Sequence, residues 1–64
     1  MTIQIFSNTQ VKRIIIFLFH IEVDFTLVYF DASASQIVIH PNSLGSGKYQ
    51  KVCERLELEE LSYM

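Results

Sequence analysis

Between Val11 and Phe30 the sequence contains no Gly, Pro or Asn. Extended as one strand, such a stretch would run about 65 Å. A chain of 64 residues cannot hold a strand of that length in one domain. It must therefore bend inside a stretch that lacks the strongest turn residues. The first half admits two readings. Ser7 and Gln10 have the spacing of a capping box, and Val11, Ile14, Ile15 and Leu18 share one helical face. Against this, "IIIFLF" over residues 14–19 is rich in Ile and Phe, which favour strands. Segment 8–19 stays open between helix and strand. In either form, successive apolar residues give it two apolar sides, and a domain this small covers one of them well.

The rest of the chain punctuates itself more clearly. "TIQIF" over 2–6 alternates and reads as a short strand. "HIEVDFTL" over 20–27 alternates strictly, with Ile21, Val23, Phe25 and Leu27 on one face, and continues through Phe30. "DASAS" over 31–35 reads as a turn, and "QIVIH" over 36–40 as a second strand stopped by Pro41. A loop over 31–35 sets Phe30 opposite Gln36, Leu27 opposite Ile39 and Tyr29 opposite Ile37 on the core side. On the reverse side it sets Thr26 opposite His40 and Val28 opposite Val38. From Gly47 to about Leu61 the pattern is helical, with Tyr49, Val52, Cys53 and Leu56 on one face and Leu58 and Leu61 on another. The alternative is an earlier stop, with "RLELEEL" continuing as an edge strand. These elements predict one α+β domain over residues 1–64: a small antiparallel sheet of three or four strands with the C-terminal helix packed on one face.

Composition sets limits on stability. A chain this short buries only about 60% of the surface its unfolded form exposes. Small domains supplement such a core with disulfides, a metal or another subunit. Cys53 is the only cysteine, so no disulfide forms within the chain, and a lone thiol suits a reducing, cytoplasmic setting. Half of the residues are hydrophobic, which points to a second subunit. The apolar run is too short for a spanning helix of about 20 residues, and His20, Glu22 and Asp24 interrupt its continuation. The same carboxylates spoil a signal peptide. No membrane partner is expected.

Three motifs invite chemistry. "SLGSGKYQ" over 43–50 resembles the end of a phosphate loop, but Asn42 stands where the first Gly belongs and Tyr49 where the Mg²⁺-binding hydroxyl belongs. The plainer reading is a reversal at Gly45 and Gly47 with Ser46 as helix cap. Lys48 and Lys51 open that helix and acids close it, the reverse of what the helix dipole favours. That order suggests either an anion at Lys48 or an acidic end made for a basic partner. "HIEVD" places His20, Glu22 and Asp24 on one strand face, but His20 and Asp24 would then lie about 13 Å apart. One ion could join two of these groups at most, with His40 as a diagonal neighbour of Asp24. No cofactor or resident metal is expected. Cys53 lies on the expected core face and reads as packing.

Net charge is −2 and the five basic residues are dispersed, which argues against nucleic acid as a partner. The function expected is a non-catalytic protein-binding module, with Glu54, Glu57, Leu58, Glu59, Glu60 and Leu61 as the partner surface. Such a surface could inhibit a basic, nucleic-acid-binding protein by mimicking phosphate charge. Small viral proteins that disarm host defences, anti-CRISPR proteins among them, share this size and charge; the analogy is one of class. The alternative is a protomer of a homodimer or larger complex, with Val28, Phe30 and Val38 as the oligomer surface. A metal-dependent enzyme using His20, Glu22, Asp24 or His40 is the third reading.

Overall fold

Ser7 resolves the ambiguous segment. In the computed structural model, which describes residues 1–30, 34–45 and 47–64, Ser7 has extended backbone angles, φ −138° and ψ 126°, and its hydroxyl accepts from the Gln10 N–H. This N-cap ends the first strand, β1 (Thr2–Ile5), and starts helix α1 (Asn8–His20). Only half of the capping box forms. The Gln10 side chain donates to the Glu59 carbonyl at 3.0 Å instead of reaching back to Ser7. Val11, Ile14 and Leu18 are buried along one helical stripe, so tertiary burial overrides the strand preference of Ile and Phe. Ile16 and Phe19 are left outside.

The hidden bend lies at Glu22. Its φ is +59°, its N–H donates to the Phe19 carbonyl at 3.2 Å, and the Val23 N–H reaches the Leu18 carbonyl at 3.0 Å. This is a Schellman ending with glutamate where glycine is usual, closed by Val23 and Leu18 inside the core. The strand expected from His20 onward consequently begins only at β2 (Phe25–Tyr29). Its partner is β3 (Ser35–Ile39). A 3₁₀ turn over Pro41–Ser43 follows, then helix α2 (Lys48–Leu58) and β4 (Ser62–Tyr63). Helix α2 ends three residues before the expected Leu61, in a second Schellman turn. Glu60 has φ +57°, its N–H reaches the Glu57 carbonyl, and the Leu61 N–H reaches the Leu56 carbonyl. The alternative of an edge strand over "RLELEEL" fails, because Arg55–Leu58 are the last turn of α2 and Glu59 and Glu60 form the turn after it; an edge strand follows only at Ser62–Tyr63.

The fold is α+β, with one antiparallel sheet ordered β2-β3-β1-β4. The hairpin register differs from the expected one by two residues: Leu27 faces Ile37, Phe25 faces Ile39 and Thr26 faces Val38. Ser35, expected in the turn, is already inside β3, buried and opposite Ile5 of β1. An even shift keeps every residue on its expected face. Residues 31–33 of the expected turn, and the Ser46 cap, lie outside the described residues. One sheet face joins Ile3, Ile5, Ile37 and Ile39 to Val11, Ile14 and Leu18 of α1 and Val52 and Leu56 of α2 in a single buried cluster. The opposite face carries Thr2, Gln4, Thr26, Gln36 and Ser62, with Val28 and Val38 between them, all exposed or half-exposed.

Candidate functional site

The sheet has two edges, and they differ in what they offer. Backbone direction along β2 follows from its ends. The Phe30 N–H donates to the Ala34 carbonyl, and the His40 N–H donates to the Asp24 carbonyl. Antiparallel pairs alternate between hydrogen-bonded and non-hydrogen-bonded. Thr26 and Val28 therefore bond to β3, while the N–H and C=O groups of Phe25, Leu27 and Tyr29 point away from the sheet. At the other edge, Thr2 and Met64 exchange hydrogen bonds at 2.8 and 2.9 Å. By the same alternation only Tyr63 of β4 points outward.

Beside the β2 edge runs the uncovered flank of α1. Phe19 meets Phe25 edge-on, with ring centroids 5.6 Å apart and planes at 73°, a pairing worth about 0.5–1.5 kcal/mol. That contact still leaves Phe19 70% exposed, next to Ile16 at 68% and Tyr29 at 63%. Ile15 and Lys12 approach Tyr29 around a shallow groove. A second groove, lined by Phe19, Phe25, Glu22 and Asp24, opens at the other end of the strand. Apolar surface and unpaired backbone thus meet along one side of the molecule, with Lys12 at one end and two carboxylates at the other. Sequence periodicity marked the spare apolar side of 14–19. The free edge was hidden, because strand order is not written in the pattern of a single strand.

The acidic end is less open than its composition suggests. Glu59 pairs with Arg13 at 3.1 Å and its side chain is only 11% exposed. Glu54 accepts from Gln50 at 3.1 Å. Glu57 and Glu60 are exposed, as is Leu58, whereas Leu61 packs against the core. Of the expected oligomer surface, Val28 and Val38 are half-exposed on the open sheet face, and Phe30 is exposed just past β2.

The "HIEVD" residues do not share a strand face. His20 ends α1, Glu22 occupies the Schellman turn, and the Asp24 N–H donates to Ser43 Oγ at 3.1 Å. His40 is cross-strand to Asp24 rather than diagonal, and its Nε2 lies 2.9 Å from Thr26 Oγ1. Among the described residues no group of three His, Cys, Asp or Glu side chains is gathered as metal ligands, and no helix is long and apolar enough to cross a membrane.

Gly45 and Gly47 both lie in turns. Gly47 has φ +82°, a left-handed conformation that suits glycine, and α2 begins at Lys48. Lys48 Nζ donates to the Glu22 carbonyl at 3.2 Å. Its misplacement for the dipole of α2 is thus offset by a favourable place at the C-terminal end of α1. Tyr49, expected in the core, is 54% exposed. Its phenol and that of Tyr63 both interact with the Cys53 sulfur. The side-chain hydrogen bond to that sulfur, followed by its charge, raises each above the ordinary phenol value. Arg55 lies over the Phe17 ring at 5.2 Å, with its buried Nε lacking a hydrogen-bond partner among the described residues.

No family model, curated protein or solved structure matches this chain.

Proposed function

We propose that this chain is a small non-catalytic protein-binding module that engages its partner along the α1 flank and the β2 edge. One juxtaposition carries this reading. Exposed Phe19 and Tyr29, with Ile15 approaching Tyr29 and Ile16 one helical turn from Phe19, accompany the outward backbone groups of Phe25, Leu27 and Tyr29. An extended strand laid against β2 would satisfy those groups and cover the apolar flank in one step. Left bare, the same edge is the kind of surface that natural sheets usually blunt with charge, proline or a covering element.

The test is a photo-reactive amino acid placed at Ile16 in the cells that make the protein. The expected result is a covalent adduct to a protein, the same chain or another, that disappears when Tyr29→Pro is added. No adduct beyond that given by the same probe at exposed Lys51 would remove the proposal.

A second reading places the contact at the acidic end, where Glu57 and Glu60 stand exposed around Leu58. It has less in support, because Glu59 is engaged with Arg13. Reversing charge at Glu57 and Glu60 separates the two. Loss of the partner would favour the acidic end as an inhibitor's contact with a basic protein, and an unchanged adduct would favour the β2 side.

A further inference from the structure

We infer that the occupant of the β2 edge is a second copy of this chain, paired antiparallel about a two-fold axis at Leu27. The inference rests on the reading of that edge as the docking surface. It adds the identity and direction of the partner.

Three observations point the same way. The outward residues Phe25, Leu27 and Tyr29 are symmetric about Leu27. An antiparallel copy would set Leu27 against its own equivalent, and Phe25 against Tyr29 of the second copy at both ends. Each of these is a hydrogen-bonded pair in which both backbone groups are used. The side chains on the core side then form two cross-strand aromatic pairs, a favourable arrangement on an antiparallel seam.

The charges are also complementary under this operation. Lys12 lies by Tyr29 at one end of the strand. Glu22 lies by Phe25 at the other, beside the Lys48 ammonium on its carbonyl, and Asp24 stands next to it on the open sheet face with His40 across from it. The two-fold brings Lys12 of each copy to the acidic end of the other. A parallel copy would set Lys12 beside Lys12 and acid beside acid. Electrostatics therefore selects the antiparallel direction.

Finally, the seam runs between two α1 flanks. Phe19 of both copies, held against Phe25 of the edge strand, lies beside it, which turns the most exposed apolar side chain of α1 into shared interior. A closed isologous pair also ends the assembly at two, because the β4 edge offers one outward residue and not three.

Sedimentation of the intact chain from micromolar to millimolar concentration should show twice the monomer mass, falling to the monomer on dilution. Tyr29→Pro, which removes one outward N–H and no bond to β3, should shift the midpoint of dissociation to higher concentration by more than tenfold, with the circular dichroism unchanged. Lys12→Glu should weaken the dimer about tenfold, two exposed ion pairs being lost at once. Adding Glu22→Lys and Asp24→Lys to the same chain should restore it. A monomer at every concentration overturns the inference and leaves the photo-adduct at Ile16 to decide whether a foreign protein uses the same edge. A dimer indifferent to Tyr29→Pro places the contact elsewhere and overturns it too. Should Tyr29→Pro fail to fold, the charge exchange decides. A triple variant no tighter than Lys12→Glu alone excludes the antiparallel pairing.

Discussion

The two edges of the sheet are built from similar pieces and reach different ends. Each follows a helix that stops in a Schellman turn with glutamate in the left-handed position, Glu22 before β2 and Glu60 before β4. In each, the residue after that glutamate, Val23 or Leu61, packs against the core. The strands then diverge. β4 spans Ser62–Tyr63 and leaves a single outward residue. β2 spans Phe25–Tyr29, presents three, and lies beside a helix flank that keeps Phe19 and Ile16 in water. An identical local device can therefore precede a short edge or a long one with apolar surface beside it. What separates them is strand length and the side chains of the neighbouring helix.

Ile37 tests what the two edges share. It is fully buried and stands between Ile3 of β1 and Leu27 of β2. Ile37→Ala should cost about 3–4 kcal/mol, a large part of the stability of so small a domain, and urea denaturation should show both edges lost in one transition. Next comes a pair of prolines on adjacent residues of β2. Val28→Pro removes an N–H that bonds to β3 and should cost about 3 kcal/mol. Tyr29→Pro removes an outward N–H and should cost under about 1 kcal/mol, since proline is tolerated on that side of an edge strand. Equal losses in thermal melts would show that the assigned direction of the β2 backbone is wrong.

The helix ends sharpen the comparison with a smaller effect. A non-glycine residue in the left-handed region costs roughly 1–2 kcal/mol, partly offset by the greater freedom of glycine in the unfolded chain. Glu22→Gly and Glu60→Gly should each stabilise by about 0.5–1 kcal/mol, raising the melting temperature similarly. The smallest effect belongs to the β4 side. Tyr49 and Tyr63 have pKa values raised in the fold by the Cys53 sulfur. Their contribution is complete below the ordinary phenol value near 10 and is lost as pH rises through the folded values above it. Tyr49→Phe with Tyr63→Phe should lower stability slightly at neutral pH and flatten the alkaline limb of the profile, so that the two proteins converge as pH rises above about 10.

Much of this fold was legible in the sequence, and the failures have physical causes. Ser7 and the stripe Val11, Ile14 and Leu18 carried the helical reading of α1, and the β2–β3 hairpin was plain from alternation and Pro41. The bend was invisible because Glu22 makes it with backbone hydrogen bonds and an apolar closure rather than with a turn residue. "HIEVDFTL" alternates as a strand would, yet it covers a helix end, a turn and a strand. Ile21 and Val23 are covered for reasons of helix termination, Phe25 and Leu27 for reasons of sheet pleat. The register erred by an even step because face matching cannot distinguish shifts of two. Of the candidate contact residues, the carboxylates were countable, but the Arg13 partner of Glu59 lies far away in sequence. The spare apolar side of α1 was visible; the open backbone beside it required the strand order.

The two helices are tied at both ends by polar contacts. Gln10 and Arg13 hold Glu59 at one end, and Lys48 holds the Glu22 carbonyl at the other. The helices consequently lie antiparallel, braced like a plank nailed at each end, and the α1 flank has little freedom to swing. Were a protein to dock there as proposed, it would meet ready-made topography, association would forfeit little free energy to ordering, and the encounter rate would reflect collision geometry rather than a slow rearrangement.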